Sequence, residues 1–153
     1  MATRVYECGQ SEVQKLKKML NYDPYLDPNL IPRLPDVDDK QRAKMSPEER
    51  AKLEELEKKA SEESRKLRED KMVNVIFARQ DCDLREGKSM GIENDNYYLL
   101  IRATDEFLGL AEEKFKIEFT TIKRAPAEME QKMIKIKEDE ENAANQGFGS
   151  IFG

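Results

Sequence analysis

The sequence contains no histidine. Histidine is the commonest general base and the commonest ligand of transition metals, and it is the usual pH switch near neutrality. The two cysteines, Cys8 and Cys82, are too few and too far apart to indicate a disulfide scaffold. Because these chemical groups are missing or scarce, we expect no catalytic activity, no cofactor and no metal.

Apolar residues are also scarce. They make up 38% of the chain and charged residues 39%, against roughly 45–50% and 25% in ordinary globular domains. A chain of 153 residues with this balance cannot fold entirely around one well-filled core. We therefore expect a compact domain made from part of the chain, with extended arms or solvated helices attached to it.

Long apolar runs are absent as well, and the first residues, MATRVYECGQ, contain no signal-peptide core. These absences predict a cytoplasmic protein with no membrane contact. The net charge of −5 gives the chain no overall attraction for nucleic acid. Basic residues do recur near the C-terminus, so a ribosome- or nucleic-acid-associated factor is an alternative hypothesis; they are Lys123, Arg124, Lys132, Lys135 and Lys137.

The segment DPYLDPNLIPRLP, residues 23–35, combines repeated prolines with leucines four apart. Its prolines exclude a regular helix and favour extended conformations in the residues that precede them. Polyproline II has three residues per turn, so Leu26, Leu30 and Leu34 would each rotate by about 120° from the one before. The pattern predicts a strap that winds over a surface, either on the chain's own C-terminal domain or on another protein. A stiff spacer is the alternative, although spacers are usually polar.

One helix is predicted before the strap and another after it. Residues 11–20 place Val13, Leu16 and Leu20 on one face of a short helix. Residues 46–71 begin with Ser46 and Pro47, a strong start signal, and continue as a highly charged helix with a thin apolar face. We assign residues 1–45 to an N-terminal arm that contains the short helix and the strap.

Residues 72–147 predict a small α+β module. Alternation favours a strand at residues 73–78, and the segment YYLLIRA, residues 97–103, is predicted to form a second strand. Thr104 begins a helix that continues to about Phe119. The stretch FKIEFTTI also alternates, so a third strand is the alternative there. A last helix begins at Pro126 and is expected to stop at Gly147. The predicted fold class is thus α+β, a small sheet of two or three strands with two helices, preceded by an extended helical and proline-rich arm.

The cluster Asp81-Cys82-Asp83 is the strongest candidate for chemistry, and it is weak. Adjacent carboxylates oppose the thiolate and raise the pKa of the Cys82 thiol, which makes it a poor nucleophile. A metal site would need further ligands at short spacing. We interpret the cluster as a polar hairpin rim, and a small thiol-dependent redox protein using Cys8 or Cys82 is kept as an alternative function.

These features predict a non-catalytic accessory, assembly or stabilising subunit that wraps a larger cytoplasmic protein complex. Residues 148–153, rich in glycine and phenylalanine, would serve as a docking tail or fold back on the chain. A homo-oligomer whose arm embraces a sister subunit is a further alternative. The predicted partner-binding residues are the apolar side chains of the arm and tail: Val13, Leu16, Leu20, Tyr25, Leu26, Leu30, Ile31, Leu34, Phe148, Ile151 and Phe152.

Overall fold

The computed structural model describes the backbone of residues 1–152 and the side chains of residues 1–147. The chain divides into two compact units. The sheet unit consists of Met1–Asn21 together with the chain from Phe77 onward, and the strap unit is Tyr22–Ile76. The strands of the sheet unit are β1 (Ala2–Cys8), β2 (Asp81–Glu86), β3 (Tyr97–Ala103) and β4 (Lys123–Arg124), and its helices are α1 (Val13–Leu20), α4 (Asp105–Glu118) and α5 (Ala127–Phe152). The strap unit contains α2 (Asp39–Lys44) and α3 (Pro47–Glu69).

The four strands form one antiparallel sheet in the order β2-β3-β1-β4. Val5 pairs with Leu100, and Leu84 pairs with Leu99 on the other side of β3. The α+β class is therefore confirmed. The finer prediction of two or three strands with two helices is wrong, because the chain adds strands that sequence patterns did not reveal.

Strand β1 lies where an extended arm was predicted. Its residues alternate between the two faces of the sheet, and Val5, Tyr6 and Cys8 are fully or almost fully buried. Helix α1 follows it within the same unit. Residues 1–21 are therefore part of the folded core, and the assignment of residues 1–45 to one arm is wrong.

Helices pack on both faces of the sheet. On one face, Val5, Tyr98 and Leu100 form an apolar cluster with Met133 of α5. On the other, the ring of Tyr6 meets the ring of Phe115 in α4, with centroids 5.2 Å apart. The sheet is thus the middle layer of the unit.

Strand β2 carries charged side chains on the face that α5 covers. Asp83 and Arg85 bind each other at 2.9 Å, Lys137 reaches Asp83 at 3.1 Å, and Glu140 reaches Arg85 at 2.6 Å. These bonds let a charged sequence form a strand next to a helix. Residues 81–83 lie in the edge strand of the antiparallel β2-β3 pair, which agrees with the polar hairpin rim predicted there, and α5 covers part of that strand.

The strand predicted at residues 73–78 is not present. Asp70 ends α3 and accepts hydrogen bonds from the amides of Met72 and Val73, which starts a turn. The side chain of Asn74 donates to the carbonyls of Leu67 and Asp70 at the end of the helix. Local side-chain bonds of this kind compete with strand formation, and here they outweigh the alternating apolar pattern.

Strand β3 and helix α4 agree with the predictions. The strand spans Tyr97–Ala103, and the side chain of Thr104 accepts a hydrogen bond from the amide of Phe107 at the start of α4. The helix continues to Glu118, so the alternative strand in this segment is wrong.

Helix α3 also agrees with the prediction, with Ser46 as its cap and Pro47 in its first turn. Of its residues, Leu53 and Ala60 are buried, which matches the thin apolar face read from the sequence. It belongs to the same unit as the strap, whereas the sequence suggested a separate segment.

Helix α5 continues past Gly147, where it was expected to stop, as far as Phe152. Gly91 is the one described residue with a positive φ, so Gly147 does not form the left-handed cap that ends many helices. The side chains of Phe148, Ile151 and Phe152 lie outside the described residues, and their role as docking groups stays a prediction. Within residues 1–152, no helix has the length and apolar character needed to cross a bilayer.

Candidate functional site

The strap, defined from here on as residues 22–38, contains four of the six large apolar side chains classed as exposed among the described residues. Leu26 is 73% exposed, Leu34 48% and Leu30 39%, and Tyr22 is exposed beside them. Elsewhere in the described chain this group contains two members, Met1 and Ile117. The leucine repeat is thus exposed as a set.

The path of the strap is shaped by Asp27. Its side chain accepts a hydrogen bond from the hydroxyl of Tyr22 at 2.6 Å and from the amide of Asn29 at 2.9 Å. Its carbonyl accepts the amides of Leu30 and Ile31. The strap therefore contains local turns, and the uninterrupted extended conformation suggested by its prolines is not adopted.

One end of the strap is tied down within its own unit. The ring of Pro24 is buried, Asp23 accepts the amide of Tyr25 at 3.0 Å, and the Tyr25 hydroxyl donates to Asn74 at 2.5 Å. These bonds fix the segment just before Leu26. The exposed leucines therefore project from an anchored backbone, which lowers the entropy that binding would have to overcome.

Two of the predicted partner-binding residues have another role. Val13 and Leu16 are 4% and 0% exposed in the sheet unit, so they belong to its core and cannot contact a partner. Their helical spacing correctly predicted one face of a helix, but that face packs inside the sheet unit and does not bind a partner. Leu20, half-buried, lines a cleft of about 400 Å³ with Phe77, Cys82 and other residues of the sheet unit. Tyr25 and Ile31 are half-buried.

Most of the basic residues near the C-terminus are already paired. Arg124 makes a bidentate bond to Glu130 at 2.6 and 2.8 Å. Lys123 lies 3.6 Å from Glu7. Lys137 is held by Asp83, and the ammonium of Lys132 is 3.4 Å from the Gly91 carbonyl. The three carboxylate pairs reduce the positive charge available to a phosphate backbone, whereas Lys132 keeps its charge because a carbonyl does not neutralise an ammonium group.

Both thiols are held in their neutral form. Burial raises the pKa of Cys8 to about 11. Burial and, after it, the charge of Asp81 raise the pKa of Cys82 to about 12. A thiol with such a pKa supplies almost no thiolate at neutral pH, so neither residue is an activated nucleophile.

A second concave site, which we call the β4 cleft, lies between α4 and β4 and has a volume of about 330 Å³. It is lined by the aromatic side chains Tyr6 and Phe115, by Ile122, and by the charged side chains Glu112, Lys116, Lys123 and Arg124. Strand pairing brings it together, because β4 places Arg124 opposite Tyr6 in β1.

Glu112 is the polar centre of the cleft wall. Its Oε1 accepts hydrogen bonds from the Tyr6 hydroxyl and from Arg4, each at 2.8 Å. Burial opposes the charge of Glu112, but these two bonds outweigh it and hold its pKa below the ordinary value. Burial and the bond to Glu112 raise the pKa of Tyr6, so its hydroxyl stays protonated.

Sequence reasoning missed this cleft entirely. Tyr6 and Glu112 are far apart in the chain, and no motif spans them. The β-branched and aromatic residues Thr3, Val5 and Tyr6 could have indicated β1, and Pro126 could have indicated that a short connection precedes α5. Neither signal identifies the residues that face one another.

Among the residues whose side chains are described, no group of three or more cysteine, aspartate or glutamate side chains is placed to hold an ion.

Comparisons of the chain with protein-family models, curated protein sequences and solved structures find no match.

Proposed function

We propose that the protein is a non-catalytic accessory subunit that binds a larger protein or protein complex through the strap, residues 22–38. The observation that supports this proposal is the exposure of Leu26, Leu30 and Leu34 on a segment whose backbone is anchored at Tyr25. Exposed apolar side chains that cluster in one segment are characteristic of interaction sites.

The free energy that the strap can contribute to partner binding depends on the apolar area that it buries. Burying apolar surface yields about 25 cal/mol per Å², so each leucine that enters a pocket on a partner contributes on the order of 1 kcal/mol or more. Three such contacts contribute about 3 kcal/mol, which is less than the cost of association, so the proposal also requires favourable contacts from the rest of the interface. Leu26 contributes little to the protein's own stability because it is 73% exposed, whereas Leu30 and Leu34 are about half covered and contribute part of their burial energy.

Two other functions receive less support. Binding of nucleic acid would need free positive charge, and three of the five basic residues between Lys123 and Lys137 are paired with carboxylates. Thiol chemistry would need an activated cysteine, and burial raises the pKa of both Cys8 and Cys82. Neither hypothesis has a feature comparable to the exposed leucine repeat.

The proposal is tested by mild affinity purification of the full chain from its native cell, at low and at high salt, with sizing and mass spectrometry of what is retained. We expect a stoichiometric protein partner that persists at high salt and after nuclease treatment, because apolar contacts are insensitive to screening. A chain that elutes alone as a monomer would contradict the proposal. So would a complex that nuclease or high salt dissolves.

A further inference from the structure

The hydrogen bonds of the sheet determine which backbone groups face each side of a strand. The amide of Val5 donates to Glu130 and its carbonyl accepts the amide of Ala125, so both groups point away from β3. In an antiparallel pair, residues that bond across the pair alternate with residues that do not. Leu100, the β3 partner of Val5, therefore bonds on its opposite side, to Asp83 of β2.

Strand β2 consequently leaves backbone groups unpaired at the edge of the sheet. Because Asp83 bonds to β3, its neighbours Cys82 and Leu84 direct their amides and carbonyls away from the sheet. The bond from the Gly87 amide to the Asn96 carbonyl, at 2.9 Å, continues the same alternation. No group of the described chain bonds to the outward amides and carbonyls of Cys82 and Leu84. This edge is open to a further strand.

The cleft of about 400 Å³ that Leu20 lines lies beside this edge, and we call it the β2 cleft. The side chains of Leu20, Cys82 and Leu84 are half-buried, so each of them offers apolar surface to the cleft. An extended chain that pairs with β2 would direct every second side chain to the same face of the sheet. Those side chains would enter the β2 cleft.

Carboxylates lie at both ends of β2. The side chain of Asp81 is 51% exposed, and Arg102, which is 3.6 Å from it, binds Glu141 more closely at 2.6 Å. One guanidinium beside two carboxylates leaves a net negative charge at this end. At the other end, Glu86 is exposed and forms no ion pair within the described chain.

The cations near Glu86 have other partners. Lys17 also lines the β2 cleft, but its ammonium lies over the ring of Tyr97, 5.7 Å from the centroid. Lys88 binds Asp95 at 2.8 Å. The charged groups in the middle of β2 are balanced by their contacts with α5. A partner strand therefore gains most from basic residues at its two ends.

The same carboxylates disfavour a second copy of the chain as the occupant. Two β2 strands paired antiparallel about a twofold axis would set Asp81 against Glu86 at both ends, and like charges directly opposite each other are destabilising. Charged side chains also protect edge strands from indiscriminate pairing. The charges thus select a strand of a different protein that carries the opposite sign.

We propose that the open edge of β2 binds an extended segment of another protein by antiparallel strand addition, with alternate apolar side chains in the β2 cleft and basic residues opposite Asp81 and Glu86. Backbone hydrogen bonds supply affinity in this mode, and the cleft for alternate side chains supplies selectivity. The site lies in the sheet unit and uses no residue of the strap, so either proposal can fail without the other.

The test is a titration of the ¹⁵N-labelled full chain with the peptide acetyl-Lys-Thr-Val-Thr-Val-Lys-amide. Its lysines would lie opposite Glu86 and Asp81, and its valines opposite Leu84 and Cys82. We expect saturable shifts along β2. Hydrogen exchange at the amides of Cys82 and Leu84 should slow at least about tenfold at saturation, because both amides gain acceptors.

Two methylated peptides test the backbone bonds. N-methylation of both valines removes the donors that face β2, whereas N-methylation of both threonines alters amides that point away from it. The valine-methylated peptide is expected to bind at least about tenfold more weakly than the threonine-methylated one.

A charge-reversed peptide and two double variants test the carboxylates. The peptide with glutamate in place of both lysines is expected to bind at least about tenfold more weakly than the lysine peptide. Asp81→Asn with Glu86→Gln should remove most of that difference. Glu54→Gln with Glu62→Gln makes the same change in net charge at exposed positions of α3 and should preserve it.

The proposal is overturned if the lysine peptide causes no shifts in β2, if the two methylated peptides bind equally well, or if the glutamate peptide binds as tightly as the lysine peptide. It is also overturned if the Asp81 and Glu86 double variant keeps the full difference between the peptides. Protection of the Cys82 and Leu84 amides in the free chain that disappears on dilution would assign the edge to a second copy, and would overturn the proposal as well.

Discussion

The hydroxyl of Tyr6 donates a 2.8 Å hydrogen bond to Glu112, joining β1 to α4 across 106 residues of sequence. Tyr6 is 2% exposed, so the bond lies beneath the surface of the sheet unit. Arg4, on the same face of the same strand, donates to the same oxygen of Glu112. The two bonds to Glu112 therefore connect β1, which sequence patterns did not reveal, to α4, which they predicted.

Tyr6→Phe is expected to destabilise the sheet unit by about 1–3 kcal/mol, because it removes a hydrogen bond to a charged, partly buried carboxylate. The measurement is urea unfolding followed by circular dichroism. Tyr97→Phe is the matched control, since the hydroxyl of Tyr97 bonds to no described residue. Equal stabilities of the two variants would contradict the role assigned to Tyr6.

Acid is expected to destabilise the protein, and Glu130 should account for part of the effect. The bond from Arg124, opposed by burial and helped by the amide of Val5, lowers the pKa of Glu130. A carboxyl whose pKa is lower in the folded than in the unfolded state stabilises fully above its ordinary pKa of about 4.3, and that stability is lost as the pH falls through the folded value.

Glu130→Gln should therefore lower the free energy of unfolding at pH 7 and flatten its decline between about pH 5 and pH 2. Urea unfolding at a series of pH values measures both. Glu62→Gln, an exposed position on α3, is the control and should change neither. An unchanged pH slope in the Glu130 variant would refute the assignment.

Substitution of alanine at two glycines, Gly87 and Gly109, is expected to change the stability of the protein in opposite directions. A Cβ at Gly87 would lie 2.8 Å from the Tyr98 ring and 3.0 Å from the Asn96 carbonyl, whereas a Cβ at Gly109 in α4 meets nothing within 4 Å. We expect Gly87→Ala to destabilise the protein by about 1–3 kcal/mol through overpacking. Gly109→Ala should stabilise it by up to about 1 kcal/mol through helix propensity. Thermal melts of both variants, side by side, decide the point, and a stable Gly87→Ala protein would show that this turn is not tightly packed.

The thiols are expected to react slowly. With pKa values raised by burial to about 11 and about 12, Cys8 and Cys82 should react with a disulfide reagent at pH 7.5 at least about 100-fold more slowly than free cysteine, and at ordinary rates in denaturant. A thiol in the folded chain that reacts as fast as free cysteine would revive the redox hypothesis.

The elements that the sequence predicted correctly carry their signals locally. Ser46 and Thr104 cap α3 and α4 at the start of each helix, and β3 begins with five consecutive apolar or aromatic residues, 97–101. The strap was recognisable for the same reason, since its prolines act on their immediate neighbours. Its turns at Asp27 depend on side-chain bonds that no spacing rule specifies.

The elements that the sequence did not reveal depend on distant partners. The charges of β2 become compatible with a strand because Lys137 and Glu140 reach Asp83 and Arg85 from α5. The β4 cleft exists because strand pairing sets Arg124 beside Tyr6. In both cases, tertiary contacts outweigh local preferences, and only the folded chain reveals the arrangement.

The most direct test of the central claim is the affinity of the purified partner for a chain carrying Leu26→Ala, Leu30→Ala and Leu34→Ala. Ile117→Ala is the matched control, since Ile117 and Leu26 are both 73% exposed but lie in different units. We expect the triple variant to keep its circular dichroism spectrum, to melt at a slightly lower temperature because Leu30 and Leu34 are partly covered, and to bind about 100-fold or more weakly, at roughly 1 kcal/mol for each leucine. The Ile117 variant should bind normally. A triple variant that binds as tightly as the parent chain would contradict the account and reduce the strap to a spacer.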